Sequence, residues 1–281
     1  MESNNITNLD KILMMVIFLS ILFIIFISLF YYCQNKNNEY EKFSVMKQIN
    51  KPIFLAIRSY NRPKYLEKTL NSIKKSDTLL CNNIIIYDDC STDEETLNIL
   101  KESEKLYTVI YNKKNEGCKQ SYLNLLNYIK KNAKYGYVCI VDNDIVVKKQ
   151  WLNKLYNIYK EAEKELKSTN IVMSGFNPTN AHQYSDNEIT KYKNFHLKYS
   201  VGAVCYFFNL QFIKSIYKGW KNNLDWGISE YVKQKGYYFS VLNEGVVDHI
   251  GEEGDNSTKD RYDNDKNFVE DFKKSIKKII K

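Results

Sequence analysis

Two short apolar runs in this chain each end in a pair of carboxylates. Tyr137-Val-Cys-Ile-Val141 runs into Asp142-Asn143-Asp144 and resumes as Ile145-Val-Val147. Asn83-Ile-Ile-Ile-Tyr87 runs straight into Asp88-Asp89. A strand that is apolar throughout is covered on both faces, the pattern of a parallel sheet between helices. Charges at the end of such a strand are costly unless a cation or hydrogen bonds neutralise them. A hard divalent metal carrying phosphate oxygens would do so. Open α/β sheets bind ligands beyond the carboxyl ends of their strands. The pattern restricts the chain to an α/β fold with an acidic ligand site on one sheet edge. It points to an enzyme acting on a nucleotide-activated substrate.

The order of elements agrees. Residues 52–57 read as a first buried strand, followed by the loop Arg58-Ser-Tyr-Asn-Arg-Pro63. Leu66, Leu70 and Ile73 then recur at helical spacing behind Pro63, a residue suited to a helix start. Residues 84–87 form the second strand, and Ser91 or Thr92 is expected to cap the next helix. Residues 107–111 form a third strand, Asn115-Glu-Gly117 a turn, and Leu123, Leu126 and Ile129 a third helix. The run before Asp142 is the fourth strand. This β-α-β-α-β-α-β order specifies a parallel sheet, and right-handed crossovers bring Asn61, Asp89 and Asp142 to one edge. Beyond residue 150 the pattern predicts helices over 151–166 and 224–236 and strands over 171–176, 199–208 and 237–242. It also predicts a short helix from Phe212 to Tyr217 and a polar loop over 177–194. Residues 268–281 put Phe268, Phe272, Ile276 and Ile279 on one face and Lys on the other, a helix packed on the domain or lying on an anionic membrane.

Residues 12–32 carry no charge and are mostly Ile, Leu, Phe, Val and Met. That length spans a hydrocarbon core as a helix. The run ends in Phe30-Tyr31-Tyr32, an aromatic interfacial pattern rather than a small-residue cleavage site. The expectation is an uncleaved single-pass anchor followed by a polar stem. The flanking Lys11 and Lys36, Lys42, Lys47 and Lys51 place the larger domain on the cytoplasmic side. A short tail before an anchor fits instead a secretory-pathway (ER/Golgi-like) membrane or a viral or host membrane, and orientation stays open.

The net charge of +8 suits anionic partners. No Arg-rich stripe is interleaved with aromatics, so nucleic acid is not an expected partner. The six cysteines form no C-x-x-C pair and no zinc-spaced cluster, which excludes a thiolate metal centre and a disulfide framework.

Several of these segments together resemble the family 2 glycosyltransferases of the GT-A fold. Ile57-Arg-Ser-Tyr-Asn-Arg-Pro-Lys-Tyr-Leu66, Thr69-Leu-Asn-Ser-Ile73 and Ile84-Ile-Ile-Tyr-Asp-Asp-Cys-Ser-Thr-Asp93 are similar to that family's opening motifs. Asn115-Glu-Gly117 resembles its N-x-G loop, Val141-Asp-Asn-Asp144 its D-x-D motif, and Trp151-Leu152 follows as in many members. Gly202 to Val204, Gly219-Trp220, and Asp225 with Gly236-Tyr237 resemble the acceptor half, and the spacing 236 − 225 = 11 agrees with the family's E-D motif. The resemblance covers residues 51–250. Cys90 stands where Gly is usual, Leu224 replaces the Glu of E-D, and Arg58 stands where Thr or Pro is common.

The resemblance implies a GT-A α/β fold, Rossmann-like, behind one transmembrane helix. The divisions are a tail (1–11), an anchor (12–32), a stem (33–50), a nucleotide-sugar-binding half (51–150), an acceptor half (151–260) and a basic C-terminal helix (261–281). It implies a metal-dependent, inverting transfer of sugar from a UDP- or GDP-sugar to a hydroxyl of a glycan, glycoprotein or glycolipid. Mn2+ or Mg2+ falls to Asp144, with Asp142 and His249 as further ligands. The nucleotide-sugar falls to Tyr60, Asn61, Arg62, Asp88, Asp89, Asn115, Asp142 and Asn143, with Asp89 on the base edge and Tyr60 against its ring. Asp225 is the general base, and Trp220 and Trp226 offer flat faces to the acceptor sugar. His249 follows a strand pattern into Gly251-Glu-Glu-Gly254, and residues 251–257 read as a flap over the diphosphate. His182 and His196 take no role. A nucleotidyltransferase is an alternative, although it would want a Gly-rich basic loop after the first strand, and residues 58–62 contain no Gly. A non-catalytic glycan-binding module on a membrane stem is another.

Overall fold

The computed structural model describes residues 8–48, 51–177, 190–212 and 224–252. Trp220, the helix expected from Phe212 to Tyr217, most of the expected flap and the C-terminal helix lie outside the described residues, as does most of the polar loop. The chain divides into Met1–Asn50 and Lys51–Lys281.

The first unit holds one helix, α1 (Asn8–Gln48). Met14–Gln34 within it is long and apolar enough to cross a membrane. Ser20 and Ser28 donate their hydroxyls to Val16 O at 2.8 Å and Ile24 O at 2.9 Å, so the polar groups of this stretch are satisfied within the helix. The helix does not stop at the aromatic belt. It runs through the segment expected to be a stem, which contains no Pro or Gly to break it.

In the second unit an eight-stranded sheet has the order β3-β2-β1-β4-β8-β6-β9-β7. These are β1 (Ile53–Ser59), β2 (Cys81–Asp88), β3 (Thr108–Tyr111), β4 (Tyr137–Asp142), β6 (Ile171–Ser174), β7 (Phe195–Lys198), β8 (Cys205–Asn209) and β9 (Tyr238–Leu242). Strands β1 to β4 pair in parallel, β6 pairs in parallel with β9, and β8 and β7 run against their neighbours. A second sheet pairs β5 (Ile145–Val147) with β10 (Val247–His249), antiparallel.

The helices are α2 (Pro63–Lys74), α3 (Glu94–Ser103), α4 (Gly117–Asn132), α5 (Trp151–Glu165) and α6 (Leu224–Gln234). Tyr122, Leu125, Leu126 and Ile129 of α4 and Ile228, Tyr231 and Val232 of α6 pack with Ala56, Ile140, Tyr206 and Phe208 in one buried cluster. Successive strand residues point to opposite faces, so Phe207 faces the other way and meets Tyr159 of α5 with ring centres 5.1 Å apart.

Two local expectations are corrected. The cap of α3 is Asp93, whose carboxylate accepts from Thr96 N at 2.8 Å, while the Ser91 hydroxyl turns to Asp88. The strand expected over 199–208 begins only at Cys205, because residues 201–203 are held elsewhere: Tyr206 Oη donates to Val201 O, and Ala203 N donates to Asp225.

Candidate active site

Parallel pairing places the ends of β1, β2 and β4 side by side, with Arg58 opposite Asp142 and Ser59 opposite Asp88. The loop after β1 crosses them. Asn61 N donates to Ser91 Oγ at 2.7 Å, Asn61 Oδ1 accepts from Thr92 N and Asp93 N at 2.9 and 3.1 Å, and Asn143 Nδ2 donates to Asn61 O at 3.1 Å. One asparagine thus ties together the loops after all three strands. Asn61 and Arg62 both have left-handed backbones, φ +48 and +64. Such residues are uncommon away from glycine and cluster at functional sites. Tyr60 is half-buried in the same loop.

Asp88 is buried and accepts from Ser91 N at 2.8 Å and Ser91 Oγ at 2.5 Å. Burial pushes its carboxyl up, and the Ser91 bonds pull it part of the way back. Asp89 is also buried. It accepts from Asn112 Nδ2 at 2.9 Å, Glu116 N at 3.2 Å and Gly117 N at 3.0 Å. Its carboxylate therefore satisfies donors at the start of α4, where a negative charge is favoured. Exposed Asn115 accepts a second bond from Gly117 N at 2.8 Å. These two acids fasten the loops after β2 and β3 from within.

Asp142 ends β4, and Asn143 and Asp144 form the turn into β5. The T-L-x-S-I segment of α2 fixes that turn. Thr69 Oγ1 donates to Ile145 O at 2.8 Å and accepts from Ile145 N at 3.0 Å, and Ser72 Oγ accepts from Val147 N at 3.3 Å. The strand β10 then lays His249 opposite Ile145. His249 Nε2 reaches Asp144 Oδ2 at 3.1 Å, and Arg62 Nη1 donates to the same oxygen at 2.6 Å. Phe176 holds the imidazole edge-on, with ring centres 6.2 Å apart. The other carboxylate oxygen, Asp144 Oδ1, is buried with no hydrogen-bond partner. A Cβ on Gly251 would lie 2.1 Å from Asp144 Oδ2 and 2.8 Å from Arg62 Nη2, so any side chain there must displace the Asp144–Arg62 pair.

The charges are interlocked. Burial opposes ionisation of Asp144, but His249 and Arg62 outweigh it and hold its carboxyl below the usual value. Burial likewise opposes the His249 cation, yet Asp144 and Asp142 raise its pKa above 6.5. Burial pushes Asp142 up to about 6, aided by the neighbouring Asp144 and opposed by Arg58. Among the described residues no three His, Cys, Asp or Glu side chains form a ready metal cluster. The groups there that could hold an ion are Asp144 and His249, which are in contact, with Asp142 nearby.

Asp225 opens α6, and its Oδ1 accepts from Ala203 N at 3.1 Å. The loop carrying Ala203 precedes β8, and Asp142 N donates to its Val204 O at 3.2 Å. Burial pushes the Tyr122 phenol up, with Arg58 opposing and Asp142 and Asp225 adding to the rise, so Asp225 lies in the same neighbourhood as the acidic motif. Trp226 follows in α6, but its side chain is outside the described set. Sequence reasoning gave no role to Arg58 or Phe176, and it placed Gly251 at the start of a flap rather than against Asp144. The departure at Arg58 was visible as an unusual residue. Its partner was not, because the pairing of β1 with β4 joins residues far apart in the chain.

A mostly parallel sheet with this acidic turn at its carboxyl edge defines the GT-A class of mixed α/β folds. Residues 55–220 match the family described as Glycosyl transferase family 2, and the chain belongs to that family. A Mycoplasma pneumoniae protein named "Uncharacterized glycosyltransferase MG060 homolog" is 30% identical over 118 residues, covering 41% of this chain and 38% of that protein. The chain therefore matches well under half the length of this relative. Among solved structures, "GalNAc-T7 with UDP, GalNAc and Mn2+" superposes with a TM-score of 0.54 at 15% identity, over 68% of this chain and 42% of that one. S. aureus TarS superposes with a TM-score of 0.48 at 18% identity, over 70% and 36%.

Proposed function

We propose that this protein is a divalent-metal-dependent, inverting glycosyltransferase, anchored by its N-terminal helix, that moves a sugar from a nucleotide-diphosphate donor to a hydroxyl acceptor. The observation that carries this reading is the meeting of Asp144 and His249 at the carboxyl edge of the sheet, with a carboxylate oxygen left without a partner. That oxygen fits a hard cation, and Mn2+ or Mg2+ accepts one or two protein ligands completed by phosphate oxygens. Asp144 and His249 would hold the ion, with Asp142 beside them. When bound, it stabilises the negative charge that collects on the departing diphosphate. The UDP, GalNAc and Mn2+ in the GalNAc-T7 structure support the same choice of ion and donor class.

The remaining steps fall to the chain's own groups. Asn61 and Asp89 hold the loops that frame the nucleotide, with Asn143 bracing Asn61 and Tyr60 set against the base ring. Asp142 faces the ribose side. Arg62 neutralises Asp144 and can turn to phosphate oxygens, a task that suits a guanidinium. Asp225 takes the proton of the attacking hydroxyl. A base placed opposite the leaving group gives inversion at the anomeric carbon. The acceptor is assigned to Trp220 and Trp226 on the sequence alone.

The test uses the purified full-length protein, Mn2+ and a panel of UDP- and GDP-sugars. One donor is expected to release its nucleoside diphosphate. Asp144→Asn is expected to lower that rate by about 100-fold or more, since several kcal/mol of charge stabilisation is lost. Unchanged release in Asp144→Asn would overturn the reading. Donor binding without turnover in the wild type would leave a glycan-binding module.

A further inference from the structure

We infer that Arg58 is a positioning residue for donor binding, acting through Asp142; this rests on the reading of the sheet edge as the nucleotide-sugar site. Arg58 sits in β1 directly opposite Asp142 of β4. Its Nε donates to Asp142 Oδ1 at 2.8 Å, and its Nη2 donates to the same oxygen. Its Nη1 donates to Cys118 O at 3.3 Å and lies 3.1 Å from Cys118 Sγ. Its guanidinium carbon stands 5.1 Å from the centre of the Tyr122 ring. The side chain is 11% exposed, against 23% for that of Asp142.

This geometry sets three conditions at once. Both Arg58 bonds to Asp142 fall on Oδ1, and Oδ2 is the oxygen assigned to the donor. It neutralises a carboxylate two residues from Asp144, which lowers the cost of holding two like charges together. It also joins the end of β4 to the first turn of α4 through Cys118, while Asp89 fastens the loop leading into that same turn. The two sides of the nucleotide pocket are thereby tied by a single planar group. A lysine has the charge but not the fork needed to hold both partners. All three of its nitrogens are engaged by Asp142 and Cys118, so its effect on the donor runs through them.

The experiment titrates UDP, and in parallel GDP, into the full-length protein with Mn2+ by calorimetry. The wild type is compared with Arg58→Met, Arg58→Lys, Asp142→Asn and the double variant Arg58→Met/Asp142→Asn. Arg58→Met is expected to raise the Kd of the nucleotide that binds on the order of 10- to 100-fold, the worth of a charge-assisted hydrogen bond. Arg58→Lys is expected to recover part of that loss. In the Asp142→Asn background the same substitution is expected to add less than about threefold, because the two residues act as one unit. A residue that only holds the fold would lower the melting temperature and the bound fraction while leaving Kd alone, and that result overturns the inference. So does an equal Kd penalty in both backgrounds. Failure of wild type to bind either nucleotide overturns the underlying assignment of the site as well.

Discussion

Cys90 adopts φ +66 in the turn after Asp88-Asp89. Left-handed backbone costs an L-residue about 1–2 kcal/mol, and glycine pays no such penalty. The motif that this segment resembles has glycine at this position, and the dihedral angle supplies the reason. Glycine gives some of the gain back through the greater freedom of the unfolded chain. Cys90→Gly is therefore expected to stabilise the protein by about 0.5–1 kcal/mol, read as a higher urea midpoint at unchanged slope. Gly251 presents the opposite case. A methyl group there would collide with Asp144 and Arg62, so Gly251→Ala is expected to push the acidic turn out of place. Misplacement by about 1 Å costs on the order of 100-fold in activity. Donor hydrolysis should fall by that amount while the melting temperature moves little. The aspartates could be found from sequence because buried strands rarely end in charge without cause. Gly251 could not, since its constraint comes from side chains more than a hundred positions away.

Elements built from local signals were legible. Leu66, Leu70 and Ile73 marked α2, and the apolar runs marked β1, β2 and β4, because burial imposes a period that one stretch of chain records by itself. The strand pattern ahead of His249 was legible too, but not its partner: strand β10 has three residues and pairs with β5, which carries His249 to Asp144. Strand β7 was not legible, since it exists by lying against β9, and its His196 has a consequence for pH. His196 is buried, and its Nδ1 lies 2.8 Å from Asn243 Oδ1 just beyond β9. Burial lowers the pKa of His196 below 6.5, and nearby Lys198 and Lys191 act in the same direction, although the bond to Asn243 opposes them. The unfolded chain therefore binds a proton at higher pH than the folded one does. Stability is full above 6.5 and falls as the pH drops below that value toward the folded-state pKa. Asp142 and His249, whose values are raised, act the other way in both proteins, so the test is the difference: from pH 7.5 to 5.5 the melting temperature of the wild type is expected to fall relative to that of a His196→Gln variant. An equal change in both would assign the acid sensitivity to other groups.

At the scale of the whole molecule, the two units treat their apolar side chains differently. Every buried hydrophobic side chain among the described residues lies at Ile53 or beyond. The apolar side chains of α1 from Met14 to Tyr32 are exposed instead. A helix of this kind has no core of its own and gains free energy only by leaving water. The second unit meets the opposite description, with two buried layers closed over its own sheet. Its stability should therefore not draw on the first fifty residues. A protein beginning at Lys51 is expected to remain soluble without detergent and to melt within about 2 °C of the full chain, a shift worth less than 1 kcal/mol at this size. Its hydrolysis of the preferred donor should match that of the full chain per mole. What it should lose is partition into lipid vesicles, measured by flotation, since about twenty apolar residues are what a bilayer retains. If the shortened protein still floats with vesicles, the membrane attachment assigned to α1 belongs to another part of the chain. If it aggregates or melts far lower, α1 contributes to the fold of the catalytic unit as well as to its address.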